Sequence, residues 1–394
     1  MSKGGSEREI IALMKGFIPI PSISPVSGGD GESEREEYLE SVLKGWGIRT
    51  RRYTYTDATG TKRPSLVAVH GRSKKTLWII AHTDTVGIGD RSAWKTDPLA
   101  PVVRDGKMFA RGAEDDGHGI AAGMLAMKDI VESGAEPKFN YGLVLAADEE
   151  NGSGCGMIPL LKEGIFKRGD MFLVPDWGTS RGADIEVAEK GILWLKITVH
   201  GKQVHASTPN EGINAARLSS VLSLELERRL HGLFAARDRL FDPPISTFEI
   251  TKREQNVESV NIVPGKDIFY MDMRIIPRYG VDAVLREARR TARRCGIDAT
   301  MDVVQKNMPT SVDPWRSGIV KALSRSIRGN LNIRPRLVGI GGGTVAAYAR
   351  QRGFDAVVWG VLDDMAHRPN EYVRIANIDK ERRVIGGLFA DGGK

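Results

Sequence analysis

Several things are scarce or missing in this chain. Only two cysteines, Cys155 and Cys295, occur in 394 residues, too few for a disulfide framework and in keeping with a reducing compartment. No apolar run reaches the roughly 18 residues that a membrane-crossing helix needs. The opening MSKGGSEREIIALMKGF has neither the unbroken apolar core nor the small-residue cleavage site of a secretory signal. These absences predict a cytoplasmic protein. Internal repeats, low-complexity tracts and an obvious flexible linker are also missing. The glycine-rich GIGGGTVAAYAR has no lysine and no strand-loop-helix pattern, so it is not a phosphate-binding P-loop.

What is present is an ordinary globular composition, 41% hydrophobic and 27% charged. The length exceeds the roughly 250 to 300 residues over which one core keeps growing, which predicts two domains. The formal net charge is +7. Part of that excess falls in LREARRTARR, where helical spacing puts Arg286, Arg289, Arg290, Arg293 and Arg294 on one face. This raises a nucleic-acid partner. The opposite face carries Val281, Val284, Leu285, Ala288 and Ala292, so an amphipathic surface helix is the stronger reading.

The apolar pattern places helices and strands in alternation through the first part. A helix over 32–46 shows Tyr38, Leu39, Val42, Leu43 and Trp46 on one side. Strands SLVAVHG and TLWIIAH follow, then a helix from Ile120 to Val131, then strands YGLVLAAD and MFLVPD. Continuous apolar strands separated by helices predict an α/β domain with a mostly parallel sheet flanked by helices. From about Gly191 the rhythm changes to half-exposed strands: LWLKITVHG, then 247–252, 257–263 and 268–276, with helices INAARLSSVLSLELERRL and 281–294 and a last strand near 299–304. In IFYMDMRII, Phe269, Met271, Met273 and Ile275 alternate with Tyr270, Asp272 and Arg274, the mark of a sheet covered on one side. That order is a ferredoxin-like α+β unit. The expectation is a domain of residues 1–190 and 306–394 interrupted by an inserted domain of 191–305.

Polar residues collect where the apolar strands end. IIAHTDTV supplies His82 and Asp84, RGAEDDGHG supplies Asp115 and Asp116, and AADEENG supplies Glu149 and Glu150. FLVPDWG supplies Asp176, and DDMAHRPNEYV supplies His367 and Glu371. In α/β sheets ligands gather at the carboxyl ends of strands. Histidine and carboxylate without thiolate suit zinc, cobalt or manganese, and the donors are enough for two ions. A metal also explains why like-charged acids are tolerated side by side. Side-chain alternation at a strand end predicts that Glu149 and Glu150 point to opposite sides.

The succession HTDTV, RGAEDDGHG, DEENG, PDWG and MAHRPNE resembles the co-catalytic zinc aminoacyl hydrolases, a family that includes glutamate carboxypeptidase, acetylornithine deacetylase, succinyl-diaminopimelate desuccinylase, aminoacylase and several di- and tripeptidases. The resemblance covers nearly the whole chain. It implies a zinc-exopeptidase-like fold whose inserted domain serves as lid and dimerisation unit. It implies two zinc ions, with His82, Asp115, Glu150, Asp176 and His367 as ligands, Asp115 bridging, and a cis bond between Asp115 and Asp116. Asp84 would orient His82, Glu149 would be the general base, and His205 of GKQVHASTPNEG would stabilise the oxyanion across a homodimer. Substrate contacts would be Asn261, Arg274, Gly342, Gly343 and Thr344, while His118 and His200 carry no assigned role.

The implied activity is hydrolysis of the amide bond in N-acyl amino acids or small peptides with a free carboxylate. Desuccinylase or acetylornithine deacetylase activity is the alternative. Those branches usually follow the loop's Gly-Thr with an acid and then an arginine, whereas this chain has Val345, Ala346 and Ala347 with Arg350 further on. The lysine common after the paired aspartates is replaced by Gly117 and His118. Asp176 in place of glutamate is nearer the peptidase and aminoacylase branches. Outside the enzyme class stand a metal-free regulatory protein and a nucleic-acid-binding protein, and no ligand of the family's set is lost here.

Overall fold

A computed structural model describes residues 3–390. In chain order its main elements are α1 (Lys3–Phe17), α2 (Ser33–Gly45), β1 (Thr50–Thr56), β2 (Lys62–His70), β3 (Thr76–His82), α3 (Gly117–Ser133), β4 (Asn140–Ala146), β5 (Met171–Val174) and β6 (Asp184–Glu189). There follow β7 (Gly191–His200), α4 (Ala215–Leu233), β8 (Thr247–Arg253), β9 (Lys266–Ile275), α5 (Val281–Arg294) and β10 (Ala299–Asn307). The chain closes with α6 (Gly318–Leu331), α7 (Val345–Gln351), β11 (Asp355–Val358) and α8 (Ile375–Phe389). Two compact units result. Among the described residues, the first holds 3–187, 312–337 and 344–390, and the second holds 188–311 with 338–343. Among the described residues no helix is long and apolar enough to cross a membrane.

The sheet of the first unit has the order β1-β2-β4-β3-β5-β11-β6. Its centre, β4-β3-β5-β11, is parallel throughout, and antiparallel pairings flank it on both sides. Every residue of β3 and β5 is buried, as a strand covered on both faces requires. On one face Trp78, Ile80, Val144, Phe172, Val174 and Val358 pack against Val345, Ala346 and Ala349 of α7. On the other, α3 lies so close that a Cβ at Gly123 would meet Ile79 and Leu143, both at 3.2 Å. Truncating a core ring such as Phe172 would cost about 3–5 kcal/mol. The parallel centre sends the ends of β3, β4, β5 and β11 to a single edge, which is what positions the site.

The second unit has the order β8-β9-β7-β10, all antiparallel, with α4 between β7 and β8 and α5 between β9 and β10. This is the split β-α-β arrangement. Phe269, Met271, Met273 and Ile275 are buried with Leu222, Leu226 and Leu230 of α4 and Val281, Val284 and Ala288 of α5. The arginines of α5 lie on its outer side. One expected strand is shorter than the sequence suggests: of 257–263 only Ile262–Val263 is extended, paired with Val204–His205. Residues 257–261 form a loop, with Val260 fully accessible and Ile262 N–H turned back to Ser259 O, and no strand pairs along 257–260.

Candidate metal centre

His82 is the last residue of β3 and its side chain is 3% exposed. Asp115 lies in the glycine-flanked turn before α3, and its bond to Asp116 is cis. Glu149 and Glu150 follow β4, Asp176 follows β5 and His367 follows β11. The parallel strands thus bring together side chains up to 285 positions apart, the separation of 82 and 367. Asp115 stands at the centre: its Oδ1 is 2.9 Å from His82 Nε2 and its Oδ2 is 3.0 Å from His367 Nε2. Asp176 Oδ1 is 3.6 Å from His82 Nε2, and Glu150 Oε2 is 3.1 Å from His367 Nε2. Donor atoms of His82, Asp115 and Glu150, and of His82, Glu149 and Asp176, also lie within 4.8 Å of one another.

Asp115, Glu149, Glu150 and Asp176 meet only His82 and His367 in this cluster, so carboxylates outnumber imidazoles two to one. Hydrogen bonds to the Asp115 and Glu150 carboxylates hold the His367 pKa up to about 10 against burial. Burial raises Asp115 by itself, but the two histidines pull it well below the usual carboxylate range. For Glu149, burial and the neighbouring Asp176 push the carboxyl well above its ordinary value. Such a set of oxygen and imidazole donors suits divalent cations, whose charge would replace the imidazole protons.

Asp84 faces His82 and also has a second role. Its carboxylate accepts from the N–H groups of Glu149 at 2.9 Å and Glu150 at 3.2 Å. His82 Nδ1 lies 3.0 Å from the Asp84 carbonyl and 3.5 Å from its carboxylate. So the main chain of Asp84 is the nearest partner of the ring, and the side chain fixes the acidic turn. That turn is also not a strand end: Asp148 has φ 62 and Glu149–Asn151 is a 3₁₀ turn. The divergence of Glu149 and Glu150 comes from roughly 120° per residue in 3₁₀ geometry instead of strand alternation.

The charged residues around the cluster have partners that the sequence pattern does not reveal. Arg63, 1% exposed, donates to Glu32 at 2.8 Å and Asp148 at 2.9 Å and lies 3.7 Å from Asp84. Its charge therefore supports the acidic turn through two carboxylates. His118 is buried, with Nδ1 2.7 Å from Glu381 and Nε2 3.3 Å from Asp116. Asp116 faces away from the centre, accepting from His82 N–H at 3.1 Å and capping α3 through Gly119 N–H. Glu371 is fully buried and bound by Arg111 and by the turn carrying Asp115. The sequence places Glu371 beside His367 in the loop after β11, and the fold adds its burial and its partner Arg111.

In the second unit His205 and Asn261 become neighbours, because His205 pairs with Ile262 and Ala206 N–H donates to Asn261 O at 2.8 Å. His205 is exposed, with Nδ1 2.7 Å from Ser207 Oγ. Arg274 is held by Asp272 and donates to Gly341 O at 2.7 Å, which ties β9 to the loop of Gly342 and Gly343. Thr344 caps α7. His200 lies 3.4 Å from Thr300 on the adjacent strand.

The profile of peptidase family M20/M25/M40 matches residues 78–391. An uncharacterized metallohydrolase of Methanocaldococcus jannaschii is 37% identical over 96% of this chain and 98% of its own length. The succinyl-diaminopimelate desuccinylase of Sulfurovum sp. is 28% identical over 95% of this chain and 97% of its own. Among solved structures, a tripeptidase of Staphylococcus aureus superposes with a TM-score of 0.77 at 19% identity, covering 97% of both chains, a likeness of fold. The strand-end cluster and these relationships together make the chain a member of peptidase family M20/M25/M40 and a metal-dependent hydrolase.

Proposed function

We propose that this protein is a dinuclear zinc hydrolase that cleaves the amide bond of N-acyl amino acids or small peptides bearing a free carboxylate. The observation that carries the reading is Asp115, which offers one oxygen to the side of His82 and the other to the side of His367, at 2.9 and 3.0 Å. His82, Asp115 and Asp176 would hold one ion, and His367, Asp115 and Glu150 the other. Zinc suits this donor set, and cobalt or manganese could occupy it. When bound, the ions supply Lewis acidity that polarises the scissile carbonyl and lowers the pKa of the attacking water.

The chain's own residues do the rest. Glu149 takes the proton of the attacking water on its carboxylate and delivers it to the nitrogen of the leaving amine. Asp84 holds the turn that carries Glu149 and Glu150 by accepting from both of their N–H groups. His205 would stabilise the oxyanion across a homodimer formed through the second unit, which would serve as the lid. Asn261, Arg274, Gly342, Gly343 and Thr344 would receive the substrate's free carboxylate. We infer a cytoplasmic location.

A second reading, desuccinylation, draws on the 28% identical relative. Against it, Val345, Ala346 and Ala347 follow the loop's Gly-Thr and are buried in α7, where the family resemblance implies that this branch usually has an acid and then an arginine. Arg350 does not substitute, since it donates to Glu186 at 2.6 and 2.8 Å. The same argument applies to acetylornithine deacetylase.

The decisive experiment is Glu149→Gln beside Glu150→Gln in metal-reconstituted protein. The first should lose several orders of magnitude in amide hydrolysis while keeping two ions per chain, and the second should lose metal. Unchanged hydrolysis in Glu149→Gln would remove the base assignment. A panel of N-acetyl and N-succinyl amino acids and dipeptides then identifies the acyl group, and preference for N-succinyl substrates would select the second reading.

A further inference from the structure

Two loops bring Asp115 and His367 face to face, and each loop carries one more glutamate. Glu114, the residue before Asp115, points its carboxylate at the other loop, accepting from Asp363 N–H at 2.7 Å and from Met365 N–H. Glu371, four residues beyond His367, points back. It accepts from Glu114 N–H at 2.8 Å, Asp115 N–H at 3.1 Å, Gly112 N–H at 3.1 Å and Arg111 Nη1 at 2.6 Å. Glu114 is 2% exposed and Glu371 is fully buried. All four oxygens of the two carboxylates are occupied.

We propose that Glu114 and Glu371 are a reciprocal pair of positioning residues that set the distance between Asp115 and His367. An acid placed here only to pair with Arg111 would need one partner. Three of the four donors to Glu371 are instead main-chain groups of the turn that carries Asp115. His367 has little else to fix it. Its side chain is 55% exposed and its φ is 62, so neither packing nor regular structure determines where its ring lies. The exchange of N–H groups between the loops ties the residues before and after His367 to those around Asp115. Misplacing a reacting or ligating group by about 1 Å can cost on the order of 100-fold, which gives the pair its functional weight.

The proposal rests on the reading of Asp115 and His367 as metal ligands, and the test separates the two claims. Metal-stripped full-length protein is titrated with Zn(II) and Co(II) against a competing chelator, and the visible spectrum of the cobalt form is recorded. Glu114→Gln places an amide NH2 against a main-chain N–H without changing size. It should weaken the more loosely held ion by about 10- to 100-fold, the usual effect of losing a group that orients a ligand, and alter the cobalt spectrum. Glu371→Gln should do the same, and the double variant should fall short of the product, because both act on one pair of loops.

Glu371→Gln also strips Arg111 of its partner and lowers stability. Glu114→Gln, whose partners are all main-chain, therefore decides the matter. Unchanged ion affinities and an unchanged cobalt spectrum in Glu114→Gln, whatever its melting temperature, would overturn the pair. Asp115→Asn and His367→Ala serve as controls. If they lose metal while Glu114→Gln does not, the positioning claim alone fails. If they keep two ions, the ligand assignment fails and takes the pair with it.

Discussion

The two histidines of the centre are held in opposite ways. His82 ends a strand whose seven residues are all buried and which is hydrogen-bonded on both sides by parallel neighbours. His367 stands on a loop with a left-handed backbone and a side chain 55% exposed. A strand end is fixed by sheet register and core packing together, so many contacts must fail before it moves. A loop is fixed by a few hydrogen bonds, which open at a small fraction of the global stability. The His82 side is accordingly the rigid half of the centre and the His367 side the labile half.

The strongest test of that contrast compares His82→Ala with His367→Ala. We expect His82→Ala to fall below one ion per chain and to lose hydrolysis by several orders of magnitude. His367→Ala should retain about one ion, and dialysis of the unmodified protein against chelator should remove its metals in two steps. A single-step loss in both variants would erase the distinction.

A second test weighs the charge beneath the acidic turn. Arg63→Met leaves Glu32, Asp148 and Asp84 without their buried cation, a change that should cost about 3–5 kcal/mol. Denaturant midpoints measure it. Glu32→Gln added to Arg63→Met should recover part of the loss by removing one stranded charge. A cost below about 1 kcal/mol, the range of exposed pairs, would mean that the turn stands without Arg63.

The smallest expected effect concerns pH. Burial lowers the His118 pKa, but Glu381 at 2.7 Å and Asp116 hold it up to about 9. Because the folded value lies above the unfolded value near 6.5, the protonated pair stabilises the fold fully below about pH 6.5. That contribution fades as pH rises through about 9. Its ceiling is roughly 3 kcal/mol. In metal-free protein, the stability difference between wild type and His118→Gln should shrink from pH 6 to pH 9.5. A difference independent of pH would show that His118 is neutral in the folded state.

Much of this centre was legible before the fold was known, for identifiable reasons. His82, Asp115, Glu150, Asp176 and His367 each follow an apolar run or enter a helix, and hydrophobic runs are the strongest local signal in a sequence. The alternation in β9 was equally plain, since buried Phe269, Met271 and Met273 read directly as period two. The strand expected over 257–263 failed because Val257 and Val260 have strand-forming side chains but no neighbour to pair with. Glu114, Arg63 and His118 look like ordinary polar residues, and Glu371 stands out only by its place after a strand. Nothing in their spacing reveals that they are buried or whom they face.

The sequence by itself determined which donors follow apolar runs or enter a helix and hence the chemistry open to them, because hydropathy pattern and side-chain type are local properties. Only the tertiary structure decided that Asp115 faces His82 with one oxygen and His367 with the other. It alone showed that Glu114 and Glu371 bind each other's loops and that Arg63 lies beneath the acidic turn. Those relations join residues as far apart as 111 and 371. Their strength depends on removal from water and on distances of a few ångströms, which only the folded chain supplies.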